Sequence, residues 1–367
     1  MIPIYKPYLN KQNLQYAHDA IDSTWISSQG DYLDYVKEDL KKLLGCGKII
    51  LTNNGTTSTH LLAIALKYKY PHINKIIVPN NVYVAAWNSF LFDKNYDLIP
   101  IDADLDTWNF DTSKIESVLD ENTAILVVHN VGNVINVPKL QEKFPNTVIL
   151  EDNCEGFLGK YNDNYTGTKS FASSISFFGN KTLTSGEGGA FMTNDDDVFN
   201  YINTVKNQGQ SETKFIHNIL GYNYRMTNIQ AAILYGQLKD VDFIIEKKKK
   251  IFEQYRSELN GVKNLYFQKE EENTSHSNWM LGIRLTDINL TVKKELELFL
   301  YESGIDSRPM FYDINSHSYL SDIKNDTTNA KILQSQCIIL PSYPELTKSQ
   351  ITYICNKIKF FIDKNLK

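Results

Sequence analysis

The chain has 367 residues, of which 42% are hydrophobic and 22% charged, a composition typical of a globular protein with a large buried core. Its formal net charge is −5, which argues against a nucleic-acid binder because such proteins usually carry a basic face. No apolar run approaches the roughly 20 residues that a helix needs to span a bilayer. We therefore expect a soluble protein of two domains, or of one large domain with an appendage, without nucleic-acid or membrane partners.

Cysteine usage points to a reducing environment. The chain has four widely spaced cysteines and no CxxC pair: Cys46, Cys154, Cys337 and Cys355. This spacing favours neither a disulfide framework nor a zinc site. From the first seven residues we expect no secretion signal. We expect a cytoplasmic protein without a bound metal.

The N-terminal part predicts a helix over residues 10–23, followed by a polar stretch over residues 24–30. In that stretch Trp25 and Ser27 are typical either of a simple turn or of a rim of polar groups over a pocket. A short strand over residues 48–51 then runs into a Gly-containing turn and a helix over residues 57–68. Unpaired N–H groups at a helix start favour anions, so Gly55, Thr56 and Thr57 mark a possible anion site. The alternative is ordinary N-capping by Thr or Ser.

Strands and helices alternate in the next hundred residues. Strands are predicted over residues 76–79, 98–102, 124–129 and 148–152, and helices over residues 85–92 and 137–144. Continuous apolar strands separated by helices indicate a mostly parallel sheet covered on both faces. Ligands bind such sheets at the carboxyl ends of the strands, and the Gly55 turn, Tyr83 and Asp152 all fall there.

Three side chains at or near these strand ends are candidates, and two of them, Asp152 and Tyr83, have two interpretations each. Asp152 ends an otherwise apolar strand, so its carboxylate needs a partner: it either caps a helix starting in residues 153–156 or pairs with a protonated ligand nitrogen. Glu155 lies three residues on, on the same side of a helical turn. Tyr83 follows a strand and belongs either to the core or to a surface that stacks on a flat ring.

Residues 174–189 combine a buried strand, a lysine and a Gly-rich loop. Lys181 follows the strand directly, a position in which its ammonium is partly desolvated and its amine becomes available as a nucleophile. Ser176 can offer a hydroxyl to an anion, and the glycines allow the backbone to pass close to a ligand. The alternative is a strand, a turn and a solvated lysine.

The second half of the chain predicts a smaller α/β domain. Helices are expected over residues 229–238, 241–259, 292–303 and 348–364, and strands or extended segments over residues 279–285 and 308–312. The lysines at 247–250 are expected to form a solvated helix face. We place the large domain at residues 1–240 and the small C-terminal domain at residues 241–367.

A strand-end carboxylate, a partly desolvated lysine, an anion cradle and an aromatic ring match the needs of one cofactor. Pyridoxal 5′-phosphate requires a Schiff-base lysine, a carboxylate at its pyridinium nitrogen, phosphate donors and a stacking partner.

The chain also resembles the DegT/DnrJ/EryC1/StrS sugar-nucleotide aminotransferases over essentially its whole length, and within that family it is most similar to GDP-perosamine synthases. The two most specific matching segments are residues 176–181 (SFFGNK), extended by residues 186–189 (GEGG), and residues 221–228 (GYNYRMTN). Further matching segments are residues 22–28 (DSTWISS), 54–57 (NGTT), 106–108 (DTW), 308–312 (RPMFY) and 340–342 (LPS).

The resemblance implies the aspartate-aminotransferase (fold type I) architecture, an α/β fold, and a role for each matching residue. It implies that Lys181 forms the Schiff base with pyridoxal 5′-phosphate and shuttles protons, and that Asp152 pairs with the ring nitrogen. The remaining cofactor-binding residues would be Gly55, Thr56, Thr57, Ser176, Tyr83, Glu155 and Asn223. Asn223 is expected to reach the phosphate of a neighbouring subunit, which implies a homodimer with shared active sites. The expected substrate residues are Ser27, Trp25, Arg308, Tyr312, Asn315 and His317.

The implied reaction is ping-pong transfer of an amino group from L-glutamate to C4 of a nucleoside-diphosphate-4-keto-6-deoxyhexose. The product is a 4-amino-4,6-dideoxy sugar nucleotide of the perosamine or viosamine type, and GDP, dTDP and UDP all stay open. The alternatives are transfer at C3, dehydration of the sugar and a cofactor-binding regulatory protein. The family's dehydratases carry His where Lys181 stands, and a DNA-binding regulator would need a basic face.

Overall fold

The computed structural model describes residues 1–45 and 47–366. Its helices are α1 (Lys11–Asp22), α2 (Asp31–Leu44), α3 (Gly55–Lys69), α4 (Ala85–Leu91), α5 (Val137–Lys143), α6 (Asp196–Lys206), α7 (Asn228–Lys239), α8 (Val241–Glu258), α9 (Leu290–Glu302), α10 (Thr328–Gln336) and α11 (Lys348–Asn365). Its strands are β1 (Lys48–Thr52), β2 (Lys75–Pro79), β3 (Asp97–Ile101), β4 (Thr123–Val128), β5 (Ile149–Asp152), β6 (Lys160–Tyr161), β7 (Asn164–Tyr165), β8 (Ala172–Ser176), β9 (Gly189–Thr193), β10 (Leu265–Tyr266), β11 (Thr274–Ser275), β12 (Leu281–Leu285), β13 (Arg308–Pro309) and β14 (Cys337–Leu340).

A seven-stranded sheet in the order β1-β9-β8-β5-β4-β2-β3 forms the centre of the large lobe. The strands from β8 to β3 pair in parallel, whereas β9 runs antiparallel to both β8 and β1. The predicted α/β fold class with a mostly parallel central sheet is confirmed.

Strand β4 shows why these sequences form a doubly covered sheet. All its residues are buried, and they alternate between two cores. Ala124, Leu126 and Val128 pack in the core that contains α3, whereas Ile125 and Val127 pack in the core that contains α5. Because successive side chains of a strand point to opposite faces, a strand covered on both faces must be apolar throughout.

A four-stranded antiparallel sheet in the order β10-β12-β14-β13 forms the small lobe, where it packs with α8, α9 and α11. Two features cross the predicted division at residue 240, and that division stays a prediction. Ile244, in the first turn of α8, packs in a core of the large lobe, whereas Ile251 packs in the small lobe. The N-terminal residues Ile2 and Tyr5 also pack against the small lobe.

The prediction that the lysines at 247–250 form a solvated face is wrong for Lys248, which is fully buried. A helix that packs on a core turns one stripe of residues inward, so consecutive lysines do not share one environment. Several elements have no counterpart among the sequence predictions: α2, α6, α10, β9, β14 and the two-residue strands β6, β7, β10 and β11. No helix begins at residues 153–156, which form a turn, so the helix-capping reading of Asp152 is wrong.

None of the helices in the described ranges is both long and apolar enough to cross a membrane. Cys46 and Lys367 lie outside the described residues. The other cysteines, Cys154, Cys337 and Cys355, are free thiols. Within the described ranges, no cluster of three or more His, Cys, Asp or Glu side chains has the arrangement of a metal site.

Candidate active site

Lys181 lies in the loop that joins β8 to β9, at the carboxyl end of the parallel strands, and is partly buried. Its main-chain N–H donates to Phe178 O over 2.9 Å, and its own carbonyl accepts a 2.5 Å hydrogen bond from the Tyr5 hydroxyl. The Nζ atom stands 3.8 Å from the centroid of the Trp279 ring. The backbone and the side chain of Lys181 are therefore both held by residues from outside its own lobe.

The N-terminus of α3 meets the end of β8 at Gly55 and Ser176. A Cβ atom built on Gly55 would lie 2.6 Å from Ser176 Cβ and 2.8 Å from Ser176 Oγ, so only glycine allows this close approach. The amides of Gly55 and Thr56 lie in the first helical turn, where N–H groups have no intrahelical acceptor. Together with the Ser176 hydroxyl they form a compact group of anion donors.

Thr57 is engaged within the same turn. Its N–H donates to Asn54 Oδ1 over 2.9 Å, and its hydroxyl donates to Asn53 Oδ1 over 2.7 Å. The cap of α3 is therefore Asn54, not the Thr or Ser that the sequence suggested. The helix is capped and still leaves the two preceding amides for a ligand.

Asp152 ends β5 as a buried side chain. Its Oδ1 accepts from Cys154 N over 3.1 Å and from the Ser174 hydroxyl over 3.4 Å. Among the described residues both bonds go to Oδ1, which leaves Oδ2 for a donor from a ligand. The carboxylate thus has partial internal support and one oxygen for a protonated nitrogen.

Glu155 is a buried carboxyl close to Lys181. Its Oε2 accepts a 2.8 Å hydrogen bond from Val131 N. Burial raises the pKa of Glu155 to about 7, although the Lys181 charge and the Val131 amide oppose the shift. Val131 has a left-handed φ of 59°, which is an outlier for a β-branched residue. The turn after β4 is therefore held in a strained conformation that presents its amide to Glu155.

Trp279 is the main residue of this site that the sequence analysis missed. It was assigned only to the start of a strand, and nothing local distinguishes it from a core tryptophan. Besides its ring contact with Lys181, its indole N–H donates to Asn180 O over 2.9 Å. The signal that reveals it is a contact between distant parts of the chain, which no local motif contains.

Of the expected substrate residues, Trp25 and Ser27 lie on an exposed loop that is anchored by a buried asparagine. The Asn228 side chain donates to Trp25 O over 2.8 Å, and its main-chain N–H donates to Ser27 O over 2.6 Å. Asn228 Oδ1 also accepts from Tyr32 N over 3.1 Å. The loop is positioned by its backbone, and the Trp25 side chain is left exposed.

Tyr83 and Tyr312 are exposed side chains. The Tyr83 ring lies 6.2 Å from that of Phe311, which brings the segment after β13 next to the end of β2. Arg308 is exposed and donates to Asp306 Oδ1 over 2.6 Å. Asn223 is also exposed, and its backbone forms an isolated antiparallel β-bridge with Asn207.

The other two expected substrate residues have partners within the chain. The Asn315 amide donates to three carbonyls of residues 320–323, and its carbonyl oxygen accepts from Asn325 over 2.7 Å. The His317 ring packs edge-on against Trp87 at 5.4 Å. These contacts order the loop after Tyr312, and a role of either residue in substrate binding stays a prediction.

Arg225 lines a cavity of about 440 Å³ together with Ser28 and Gln29, and its charge acts on Lys206. Arg225 Nε is buried and finds no acceptor among the described residues. Burial lowers the pKa of Lys206 to about 8, and the Lys37 and Arg225 charges add to that shift. Such a group of mutually repelling cations is suited to an anion. A larger cavity of about 520 Å³ borders Asp104 instead and contains none of the expected site residues.

The side chains at the strand ends fit pyridoxal 5′-phosphate. Lys181 would supply the amine, Asp152 Oδ2 would accept from the ring nitrogen, and the Gly55–Ser176 contact would provide phosphate donors. The close approach at Gly55 is the specific structural test, because any side chain there would fill the cradle beside Ser176.

Comparisons with known proteins bear on the fold and on the family of the chain. GDP-perosamine synthase of Escherichia coli O157:H7 is 34% identical, with 99% of each chain covered. The GDP-perosamine synthase of Vibrio cholerae is 33% identical, with 99% of this chain and 100% of that protein covered. A solved structure of a Helicobacter pylori aminotransferase involved in pseudoaminic acid biosynthesis has a TM-score of 0.93 at 21% identity and covers 99% of both chains, a likeness in fold. A model described as the DegT/DnrJ/EryC1/StrS aminotransferase family matches residues 7–359, and the chain belongs to that family.

Proposed function

We propose that this chain transfers the amino group of L-glutamate to C4 of a GDP-linked 4-keto-6-deoxyhexose, with pyridoxal 5′-phosphate as cofactor. The observation that carries the proposal is the full-length similarity to two GDP-perosamine synthases. Perosamine is a 4-amino-4,6-dideoxymannose, so this similarity favours GDP over dTDP or UDP, and C4 over C3. The Lys181 amine at the strand ends supports a transferase.

Pyridoxal 5′-phosphate, when bound, carries the amino group between the two substrates and delocalises the negative charge that develops at carbon. Lys181 Nζ holds and moves the proton at the reacting carbon atoms in both half-reactions. Asp152 Oδ2 would accept the N–H of the pyridinium ring. The amides of Gly55 and Thr56 and the Ser176 hydroxyl would bind the phosphate.

The Glu155 carboxyl lies close to Lys181 and can take part in hydrogen bonding there. With a pKa of about 7, it is half protonated near neutral pH and can either donate or accept a hydrogen bond. The Val131 amide fixes one of its oxygens, so the other is the atom that meets a ligand. We assign it to the cofactor side, next to the Lys181 amine.

The cluster of Arg225 and Lys206 is our proposed site for the diphosphate of the sugar nucleotide. Support comes from the buried Nε of Arg225, which has no acceptor within the described residues, and from the hydroxyl and amide groups that line the same cavity. Arg is well suited to phosphates because its planar fork donates two parallel hydrogen bonds. The Michaelis constant of an Arg225→Met variant for the sugar nucleotide tests the assignment.

We propose that the active unit is a homodimer. Phe215, Ile216 and Leu220 lie on a loop before α7 and are exposed by 79%, 52% and 87%, an apolar surface typical of a contact site. Asn223 follows on the same segment and is exposed as well. Sedimentation equilibrium of the wild type and of Leu220→Asp tests this: we expect a dimer that the variant weakens, and a wild-type monomer would contradict it.

The decisive experiment incubates the protein with pyridoxal 5′-phosphate and glutamate against GDP-, dTDP- and UDP-linked 4-keto-6-deoxyhexoses, with mass-spectrometric detection. We expect an amino sugar from the GDP substrate and equimolar 2-oxoglutarate. Conversion of a 3-keto sugar nucleotide with none of the 4-keto substrates would assign the reaction to C3 instead. If glutamate leaves the visible absorbance of the bound cofactor unchanged, the transferase proposal itself is wrong.

A further inference from the structure

We propose that Lys248 is a positioning residue for the catalytic lysine: from the small lobe, its buried side chain fixes Trp279 and the N-terminal segment against Lys181. The inference rests on the proposed role of Lys181. It gives a function to Lys248, which the lysine-rich sequence of α8 does not distinguish from its neighbours.

Lys248 is the exception among its neighbours. Lys249 and Lys250 are exposed and lie near Glu253 and Glu246 at 4.0 and 2.9 Å. Lys248 is fully buried, and no carboxylate of the described residues lies within ion-pairing distance of its Nζ atom. A lysine in such a place has a high desolvation cost, and an apolar side chain of similar length would fill the same space.

The Nζ atom of Lys248 donates instead to neutral oxygens of two residues that flank strands of the small lobe. It donates to Trp279 O over 2.7 Å, to Ser342 O, and to Ser342 Oγ over 3.4 Å. Trp279 precedes β12 and Ser342 follows β14. The Lys248 side chain therefore joins the end of one strand to the start of its neighbour at a point that faces the large lobe.

Two short routes lead from Lys248 to Lys181. The first passes through Trp279, whose carbonyl is bound by Lys248 while its ring lies 3.8 Å from Lys181 Nζ and its indole N–H holds Asn180 O. The second passes through Tyr5, whose ring lies 5.6 Å from Lys248 Nζ and whose hydroxyl donates to Lys181 O. Both the side chain and the main chain of Lys181 are thus contacted by residues that pack around Lys248.

The physical consequence concerns the charge on the Lys181 nitrogen. An aromatic face within 6 Å stabilises a cation by its quadrupole, so a fixed Trp279 ring favours the protonated nitrogen. Removing the Lys248 donor frees the carbonyl of Trp279 and lets the ring move. The protonated form of the Lys181 nitrogen then loses part of its stabilisation.

The test compares Lys248→Met with Lys249→Met, which removes a neighbouring exposed lysine from the same helix. The full-length holoenzymes are titrated with pH, and the visible absorbance of the lysine-bound cofactor is followed without any substrate. We expect the midpoint of Lys248→Met to fall by about half a pH unit, with Lys249→Met unchanged. Lys248→Arg, which keeps a buried donor, should recover part of the shift.

A folded Lys248→Met with the midpoint of Lys249→Met would overturn the proposal, even if its melting temperature is lower, because the residue would then serve stability alone. If Lys248→Met does not fold, Trp279→Leu tests the same route, and an unchanged midpoint there overturns it too. Since no substrate is present, a wrong sugar nucleotide does not affect the result. As a second readout, trace acylation of Lys181 in the cofactor-free chain should be faster in Lys248→Met than in Lys249→Met.

Discussion

The two sides of the proposed active site are built differently. The proposed cofactor side (Gly55, Asp152, Ser176 and Lys181) is assembled at one edge of the parallel sheet, where α3 begins and β5 and β8 end. The proposed substrate side (Trp25, Ser27, Asn315 and His317) lies on loops, where Asn315 and His317 contact their own chain rather than an open cavity. The sheet topology dictates the first set, whereas loop packing decides the second. We therefore expect substitutions on the cofactor side to have large, well-defined effects, and substitutions on the substrate side to change specificity.

Replacement of Lys181 by Ala should have the largest effect. In the proposed mechanism Lys181 supplies both the amine and the proton transfer, so we expect the rate of amino-sugar formation to fall by at least about a thousandfold. Lys169→Ala, at a surface lysine before β8, is the matched control and should retain activity. The measurement is the initial rate by mass spectrometry, and residual turnover within tenfold of the wild type would contradict the assignment.

The same comparison explains what the sequence could predict. The ends of strands can be located from apolar runs in the sequence. Since parallel strands bring their carboxyl ends to one edge of the sheet, Gly55, Asp152 and Lys181 were expected to lie together. The cofactor side could therefore be predicted from local patterns and from the family resemblance. Trp279 and Lys248 did not, because their roles depend on contacts between lobes. Nothing in the sequence around residues 247–250 indicates which of the four lysines is buried. Only the packing of α8 against the small lobe shows which side chain points inward.

The second prediction concerns Glu155 and pH. Its pKa is raised from 4.5 to about 7 in the folded protein, so the folded state binds the proton more tightly than the unfolded chain does. Stability from this group is complete below about pH 4.5 and is lost as the pH rises to 7. The difference corresponds to about 3 kcal/mol in the cofactor-free protein.

Glu155→Gln should remove that pH dependence, because a neutral amide has no proton to lose. Urea unfolding of the cofactor-free wild type and variant between pH 4.5 and 8 measures it, and the difference in free energy of unfolding should increase in favour of the variant as the pH rises. Glu253→Gln, at an exposed helix position, is the control and should follow the wild type. Parallel curves for wild type and Glu155→Gln would show that the buried carboxyl is not protonated at neutral pH.

Gly55→Ala tests the rigidity of the cofactor side. The new Cβ would lie 2.6 Å from Ser176 Cβ, so α3 or β8 must shift at a cost of about 2 kcal/mol. The phosphate donors would separate, and we expect weaker binding of pyridoxal 5′-phosphate with a lower melting temperature. Gly47→Ala is the control, since a Cβ there meets nothing within 4 Å. Unchanged cofactor affinity in Gly55→Ala would show that the cradle tolerates a methyl group.

Arg225→Met probes the substrate side and should have the smallest effect. If Arg225 binds the diphosphate, the Michaelis constant for the sugar nucleotide should rise about tenfold, which is about 1.4 kcal/mol, while that for glutamate stays constant. Lys214→Met, at an exposed lysine of the preceding loop, removes one positive charge nearby and should change neither constant. An equal rise for both substrates would place Arg225 on the cofactor side. The anion-binding groups would then not follow the contrast between a cofactor side formed by the ends of sheet strands and a substrate side formed by loops.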